Sequence, residues 1–156
     1  MAFMKSQSAG YLANHMARLF ARCLQSRIKP LGLTTGAFPA LLALWDEEGV
    51  TQRTLTDRLD IEQATMANTL ARMERDGLVV RKKDPDDGRV QRIWLTDKAR
   101  ALRAPAIMAA VQVNTDALSD LSEVERQQFI HLMSRVIARL QAHPPGDSRR
   151  RRDAAG

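Results

Sequence analysis

Three polar side chains at helical spacing, Thr65, Asn68 and Arg72, lie opposite an apolar set, Met66, Leu70 and Met73, in the segment from Gln63 to Arg75. The apolar residues fall at i, i+4 and i+7 and so face a core, which leaves the polar three on the opposite side. Their chemistry suits the edges of bases. Asparagine can be bidentate to adenine, arginine to guanine, and a threonine methyl can touch thymine. The solvated side of an ordinary amphipathic helix has the same composition, so this helix alone does not decide the matter. Downstream, Arg81, Lys82, Lys83, Arg89 and Arg92 place positive charge on a short ribbon, as phosphate and narrow minor-groove contacts require. Asp84, Asp86 and Asp87 in the same ribbon oppose that charge. Some of them must therefore have structural work.

The elements that would position these groups can be followed along the chain. Leu12, Met16, Leu19, Phe20, Cys23 and Leu24 recur at spacings of three and four, which predicts a helix over 11–28. Lys29-Pro30 and Gly32 end it. A second helix, capped by Thr34, carries Phe38, Leu41, Leu42, Leu44 and Trp45, with a bend expected at Pro39. Thr51 caps a short third helix through Leu59, Asp60-Ile61-Glu62 breaks the chain, and the Gln63 to Arg75 helix closes at Gly77. Residues 78–83 and 90–95 then read as a two-stranded hairpin around the turn Asp84-Pro85-Asp86-Asp87-Gly88-Arg89. Thr96 caps a fifth helix with a kink at Pro105, and Ser122 with Glu125 forms a capping box for a sixth. The last helix has the stripe Phe129, Met133, Val136, Ile137 and Leu140.

The fold class is therefore mainly α with a small β-hairpin wing, a winged helix-turn-helix whose N- and C-terminal helices form a dimerisation domain. We divide the chain into a flexible N-terminus (1–10), a body (11–143) and a disordered basic tail (144–156). Within the body, 11–31 and 97–143 are the dimerisation helices and 34–96 the winged helix-turn-helix. The 156 residues suffice for one core, and the formal net charge of +6 favours a polyanionic partner. The segment from Asp147 onward supplies +2 of that charge, so the body is only mildly basic. A single cysteine, Cys23, excludes an internal disulfide and fits a reducing compartment, so we expect a cytoplasmic protein. No uncharged stretch approaches the ~20 residues of a membrane span.

The runs Gly77-Leu78-Val79-Val80-Arg81, Asp84-Pro85-Asp86-Asp87-Gly88-Arg89 and Ile93-Trp94-Leu95-Thr96-Asp97-Lys98 resemble the wing of the MarR family and the start of the helix after it. Gly32-Leu33-Thr34 and Leu59-Asp60-Ile61-Glu62-Gln63-Ala64-Thr65 are similar to the same family in order and spacing, and the likeness runs from Tyr11 to His143. The resemblance implies a homodimeric repressor on double-stranded DNA, with the chain ends interdigitating between subunits. A twofold dimer places two recognition helices ~34 Å apart and so predicts a near-palindromic operator. It also implies that Arg89 enters the minor groove with its guanidinium held by Asp87. Many relatives carry arginine where this chain has Gly88. The candidate DNA contacts are Thr51, Gln63, Thr65, Asn68, Thr69, Arg72, Lys83, Asp87 and Arg89.

The same resemblance implies release by a small aromatic or phenolic acid, for which His15, Arg18, Phe38, Trp45 and Met108 are the candidate ligand-binding residues. Core positions for Phe38 and Trp45 and a solvated Arg18 are the plainer alternative. A redox-responsive regulator would use Cys23, but its place on the apolar stripe favours a buried core thiol. His15, His131 and His143 have no metal-ligand spacing, and no nucleophile-base pair or phosphate loop is evident, so we expect no cofactor, no metal and no catalysis. A winged-helix module that binds protein is the competing function.

Overall fold

The computed structural model describes residues 2–144. The order is α1 (Ala9–Ile28), α2 (Phe38–Asp46), β1 (Val50–Thr51), α3 (Gln52–Leu59), α4 (Gln63–Arg75), β2 (Val79–Lys83), β3 (Gln91–Leu95), α5 (Asp97–Ala101), α6 (Arg103–Ala117) and α7 (Glu123–Ala142). The chain forms two compact units, one ending at Asn114 and one beginning at Thr115. This boundary falls inside α6, whereas the sequence pattern groups 11–31 with 97–143. The expected arginine tail at 149–152 lies outside the described residues. Residues 2–10 contain a 3-10 turn at Lys5–Gln7 and the first residues of α1, capped by Ser8.

The core of the first unit gathers Ile28 from α1, Leu41 and Leu44 from α2, Leu55 from α3, Met66 and Leu70 from α4, Ile93 from β3 and Ala99 from α5. Gln25 ties α1 to the following loop: its Nε2 donates to Leu33 O at 3.2 Å and its Oε1 accepts from Thr35 N at 3.0 Å. Two predicted caps hold as read, Thr51 Oγ1 accepting from Thr54 N at 3.1 Å and Thr96 Oγ1 from Ala99 N at 3.2 Å. Thr34 does not cap α2. Its hydroxyl accepts weakly from Ala37 N at 3.4 Å within a turn, and the helix starts only at Phe38. Pro39 is consequently in the first turn, where its missing N–H costs nothing, and the bend expected there has no cause. Pro105 acts earlier than expected as well. Its ring would collide with the carbonyl four residues back, at Ala101, and the chain breaks at Leu102 into α5 and α6.

The sheet has three strands where the pattern showed two, in the order β1-β3-β2, all antiparallel. Val50 pairs with Ile93 and Thr51 with Arg92, while Val79 to Lys83 pair with Leu95 to Gln91. Gly49, with φ 75, enters β1. A Cβ built there would lie 2.7 Å from Cζ2 of Trp94, so the indole rests directly on this backbone.

The second unit carries α7, whose N-terminus has the full capping box: Ser122 Oγ accepts from Glu125 N at 3.2 Å and Glu125 Oε2 from Ser122 N at 2.9 Å. No residue of α7 is buried. Val124, Ile130, Leu132, Val136, Ile137 and Leu140 are all exposed. Among the described residues, no helix is long and apolar enough to cross a membrane.

Gly32 and Gly49 have nearly equal φ, 74 and 75, but only Gly49 has neighbours where a Cβ would go. Gly32→Ala should therefore lose about 1–2 kcal/mol for the left-handed backbone alone, and Gly49→Ala a further 1–3 kcal/mol, roughly, for overpacking against Trp94. Urea unfolding of both variants checks this, and equal losses would remove the Trp94 contact as the cause.

Candidate nucleic-acid interface

Helices α3 and α4 are joined through Asp60, which takes the left-handed conformation at φ 52, a position aspartate tolerates better than most residues. Met66, Leu70 and Met73 of α4 are buried, while Thr65, Asn68 and Arg72 are exposed. Arg72 is folded back along the helix, its Nε donating to Asn68 O at 3.3 Å. Thr69 is half-buried and lines a small cavity of about 180 Å³ with Thr34, Ala37, Arg72 and Asp76. Of the nine candidate contacts it is thus turned toward the loop before α2.

Thr51 and Gln63 are engaged within the protein. The Thr51 hydroxyl caps α3 and lies 3.0 Å from that of Thr54. The Gln63 side chain accepts from Gln52 Nε2 at 3.1 Å and donates to Thr56 Oγ1 at 3.4 Å. Gln52 is absent from the sequence-based set. Its only local signal is that a glutamine opens each helix of the pair, and nothing in a linear pattern shows that the two amides meet.

In the wing, Asp84 does the structural work expected of some aspartate. Its Oδ1 accepts from the N–H of Asp86 at 2.8 Å and of Asp87 at 3.2 Å, and its Oδ2 pairs with Arg92 Nε. Arg92 Nη1 donates to Gly49 O at 2.8 Å. Arg92, counted in the sequence as a phosphate-facing cation, is therefore a brace between the wing turn and the loop before β1. Arg81 Nε lies 3.0 Å from Glu74 Oε2 of α4, and Lys82 Nζ stands 5.8 Å from the centroid of the Trp94 ring. Lys83 and Arg89 remain exposed, the Arg89 side chain at 96%. Asp87 Oδ1 accepts from the backbone N–H of Arg89 at 3.0 Å and is 3.9 Å from its Nε. The carboxylate thus fixes the backbone of Arg89 more closely than its guanidinium. A concave cleft of about 510 Å³ runs between the start of α3 and the wing, and Arg53, Arg81 and Arg89 all reach it. Arg53 is a further cation that the sequence reading passed over.

A recognition helix on a helix-turn-helix, beside a braced wing with an exposed tip arginine, can be set against known proteins. The sequence model of the MarR family matches residues 31–90. The transcriptional regulator HosA of Escherichia coli O111:H- is 34% identical over 105 residues, which span 67% of this chain and 78% of HosA. The chain belongs to the MarR family. Its fold matches that of the PcaV transcriptional regulator from Streptomyces coelicolor, solved with its natural ligand, at a TM-score of 0.79 and 26% identity over 88% of this chain and 97% of PcaV. A MarR family transcriptional regulator from Listeria monocytogenes, solved with a 26mer DNA, has the same fold at a TM-score of 0.79 and 21% identity, covering 87% of this chain and 91% of that one. These relatives are transcriptional regulators, a class without catalysis.

This MarR-family chain does not bring its five candidate ligand residues together. A cavity of about 330 Å³ is lined by Phe20, Leu24, Phe38, Leu42 and Val113, with Thr35 and Asn114 supplying its polar groups. Only Phe38 of the five lines it. Trp45 meets Phe38 edge to face at 6.2 Å and donates its Nε1–H to Ala99 O at 3.0 Å, a structural tie between α2 and α5. His15 stacks edge-on with Tyr11 on exposed α1, Arg18 is exposed, and Met108 is 72% exposed. Cys23, expected in the core, is exposed, because the α1 stripe it belongs to has little covering it in one chain. Among the described residues, no cluster could hold a metal ion.

Glu48 completes the frame. Its carboxylate takes two hydrogen bonds from Arg100, at 3.1 and 2.8 Å, and one from Leu95 N at 2.8 Å. The Arg100 hydrogen bonds hold its pKa below the usual value despite partial burial. Asp84 is likewise held low, chiefly by Arg92 and then by the Asp86 N–H. Both groups bind a proton less readily folded than unfolded, so the stability each adds is complete above the ordinary carboxylate pKa and is lost as pH falls through the lowered one. Asp84→Asn and Glu48→Gln should be less stable than wild type at neutral pH, with the gap closing below about pH 4. Urea midpoints across a pH series test this, and a gap that persists undiminished in acid would refute the ionic origin.

Proposed function

We propose that the protein is a homodimeric, sequence-specific DNA-binding regulator, acting as a repressor on a near-palindromic operator and released by a small aromatic effector. The observation that carries the reading is the exposed face of α4, where Thr65, Asn68 and Arg72 stand opposite buried Met66, Leu70 and Met73, next to a wing whose tip arginine is almost fully exposed. Asn68 reads base edges, Arg89 takes a phosphate or the minor groove, and Lys83 and Arg53 add backbone contacts. Support for a dimer comes from the apolar side chains left exposed on α1 and α7, among them Leu12, Leu19, Ile130, Ile137 and Leu140, a pattern that marks an interaction surface. The aromatic part of an effector suits the cavity around Phe20 and Phe38, which is mostly apolar and of ligand size. An acidic group finds no cation in that lining.

Selection of bound sequences from a random duplex pool, at one fixed salt concentration, tests the reading. Wild type should enrich an inverted repeat. Asn68→Ala should relax preference at one position of each half-site by about tenfold. Arg89→Ala should weaken binding to all duplexes and reduce the salt dependence by about one phosphate contact. Light scattering should give twice 17.5 kDa. A general, salt-sensitive affinity with no enriched sequence would return the protein-binding module to first place.

A further inference from the structure

The two glutamines that open the helices of the reading head are joined in a chain of hydrogen bonds whose direction is fixed at one end. Thr56 Oγ1 donates to Arg53 O at 2.7 Å, an atom that can only accept. The hydroxyl has spent its single proton there, so it accepts from Gln63, and the Gln63 atom facing it must be Nε2, at 3.4 Å. The amide oxygen of Gln63 is thereby turned toward Gln52, which donates to it from Nε2 at 3.1 Å. One backbone carbonyl thus sets the orientation of two side-chain amides through three bonds. After these bonds Gln63 retains one N–H and one oxygen lone pair, on the two atoms bonded to Cδ and in one plane. That is the complement of the N6–H and N7 edge of adenine.

We infer that Gln52 is a positioning residue for base recognition: it holds the amide of Gln63, at the first turn of α4, in the one orientation that reads an adenine in the major groove. The inference rests on the DNA-binding reading above and deepens it by naming a base and the residue that aims at it. An unrestrained glutamine can present either end of its amide and loses rotamer freedom on binding. With Gln52 donating, the flipped orientation would set two donors against each other, so Gln63 approaches DNA already oriented.

The test uses the full chain and a random duplex pool, comparing the base preference of wild type with that of Gln63→Ala, Gln52→Ala, the double variant and two further changes at position 52. Gln63→Ala and Gln52→Ala should relax preference at the same base pair of each half-site, by about tenfold and by a smaller factor respectively. The double variant should be no worse than Gln63→Ala. Gln52→Glu, isosteric but without a proton to donate, should lose the preference, and Gln52→Lys, which restores a donor, should regain it. Because base preference is read within each variant, the charge these changes add to general affinity does not enter. Thermal unfolding identifies any variant that is not folded. A wild type that enriches a sequence while Gln52→Ala gives an unchanged profile overturns this inference and leaves the regulator reading standing. Effects of the two alanines at different base pairs, or additive effects at one, overturn it too. A wild type that enriches nothing overturns both.

Discussion

At Gly49 the backbone turns through φ 75 with the Trp94 ring so near that a Cβ would sit 2.7 Å from it, and the posture of the wing follows from that approach. The same residue donates its N–H to Ile93 O at 2.8 Å and receives Arg92 on its own carbonyl. On one side Glu48 takes Arg100 and the Leu95 N–H, and Glu47 pairs with Arg58 of α3 at 2.6 Å. Three consecutive residues therefore bind α2, α3, α5 and the sheet into one frame. Only glycine adopts this backbone without strain and leaves room for the indole.

That frame also decides what the positive charge is for. Arg58, Arg81, Arg92 and Arg100 each have an acidic partner inside the fold, so they hold elements together before they attract anything. The formal net charge counts them equally with Arg89 and Lys83, which are exposed at the wing. Mild basicity over the whole chain and a concentrated basic edge are thus compatible. With the Arg89 backbone held by Asp87, and the Asp87 N–H by Asp84, the main chain of the tip is ordered while the Arg89 side chain stays exposed.

Features encoded within a few residues were legible from the sequence. The caps at Thr51, Thr96 and Ser122, the α4 face and the wing turn each depend on neighbours along the chain, and all appear where the pattern placed them. The Thr34 cap and the effects of Pro39 and Pro105 were misjudged locally, by where a helix starts or breaks; the other misses depend on distant partners. Val50 and Thr51 make a strand only because β3 lies beside them, and two residues have no period to detect. The Gln52 to Gln63 contact spans eleven positions and exists only once the turn at Asp60 is formed. The aromatic residues chosen as ligand walls were read by type, and type does not distinguish Phe38, on the cavity, from Trp45, whose N–H is committed to Ala99.

Periodicity reports that a face will be covered without saying by which chain. The stripe of α1 reads as core in the sequence, yet Leu12, Leu19 and Cys23 remain exposed in the single chain. The cavity beside α1 raises the same issue in chemical form. Its walls carry no charge, and a carboxylate moved into such a lining would lose its hydration without gaining a partner. Arg18 and His15 are exposed on α1 and absent from that lining. On the proposed reading, an acidic effector takes its counter-charge from beyond this lining, whereas a neutral one needs none.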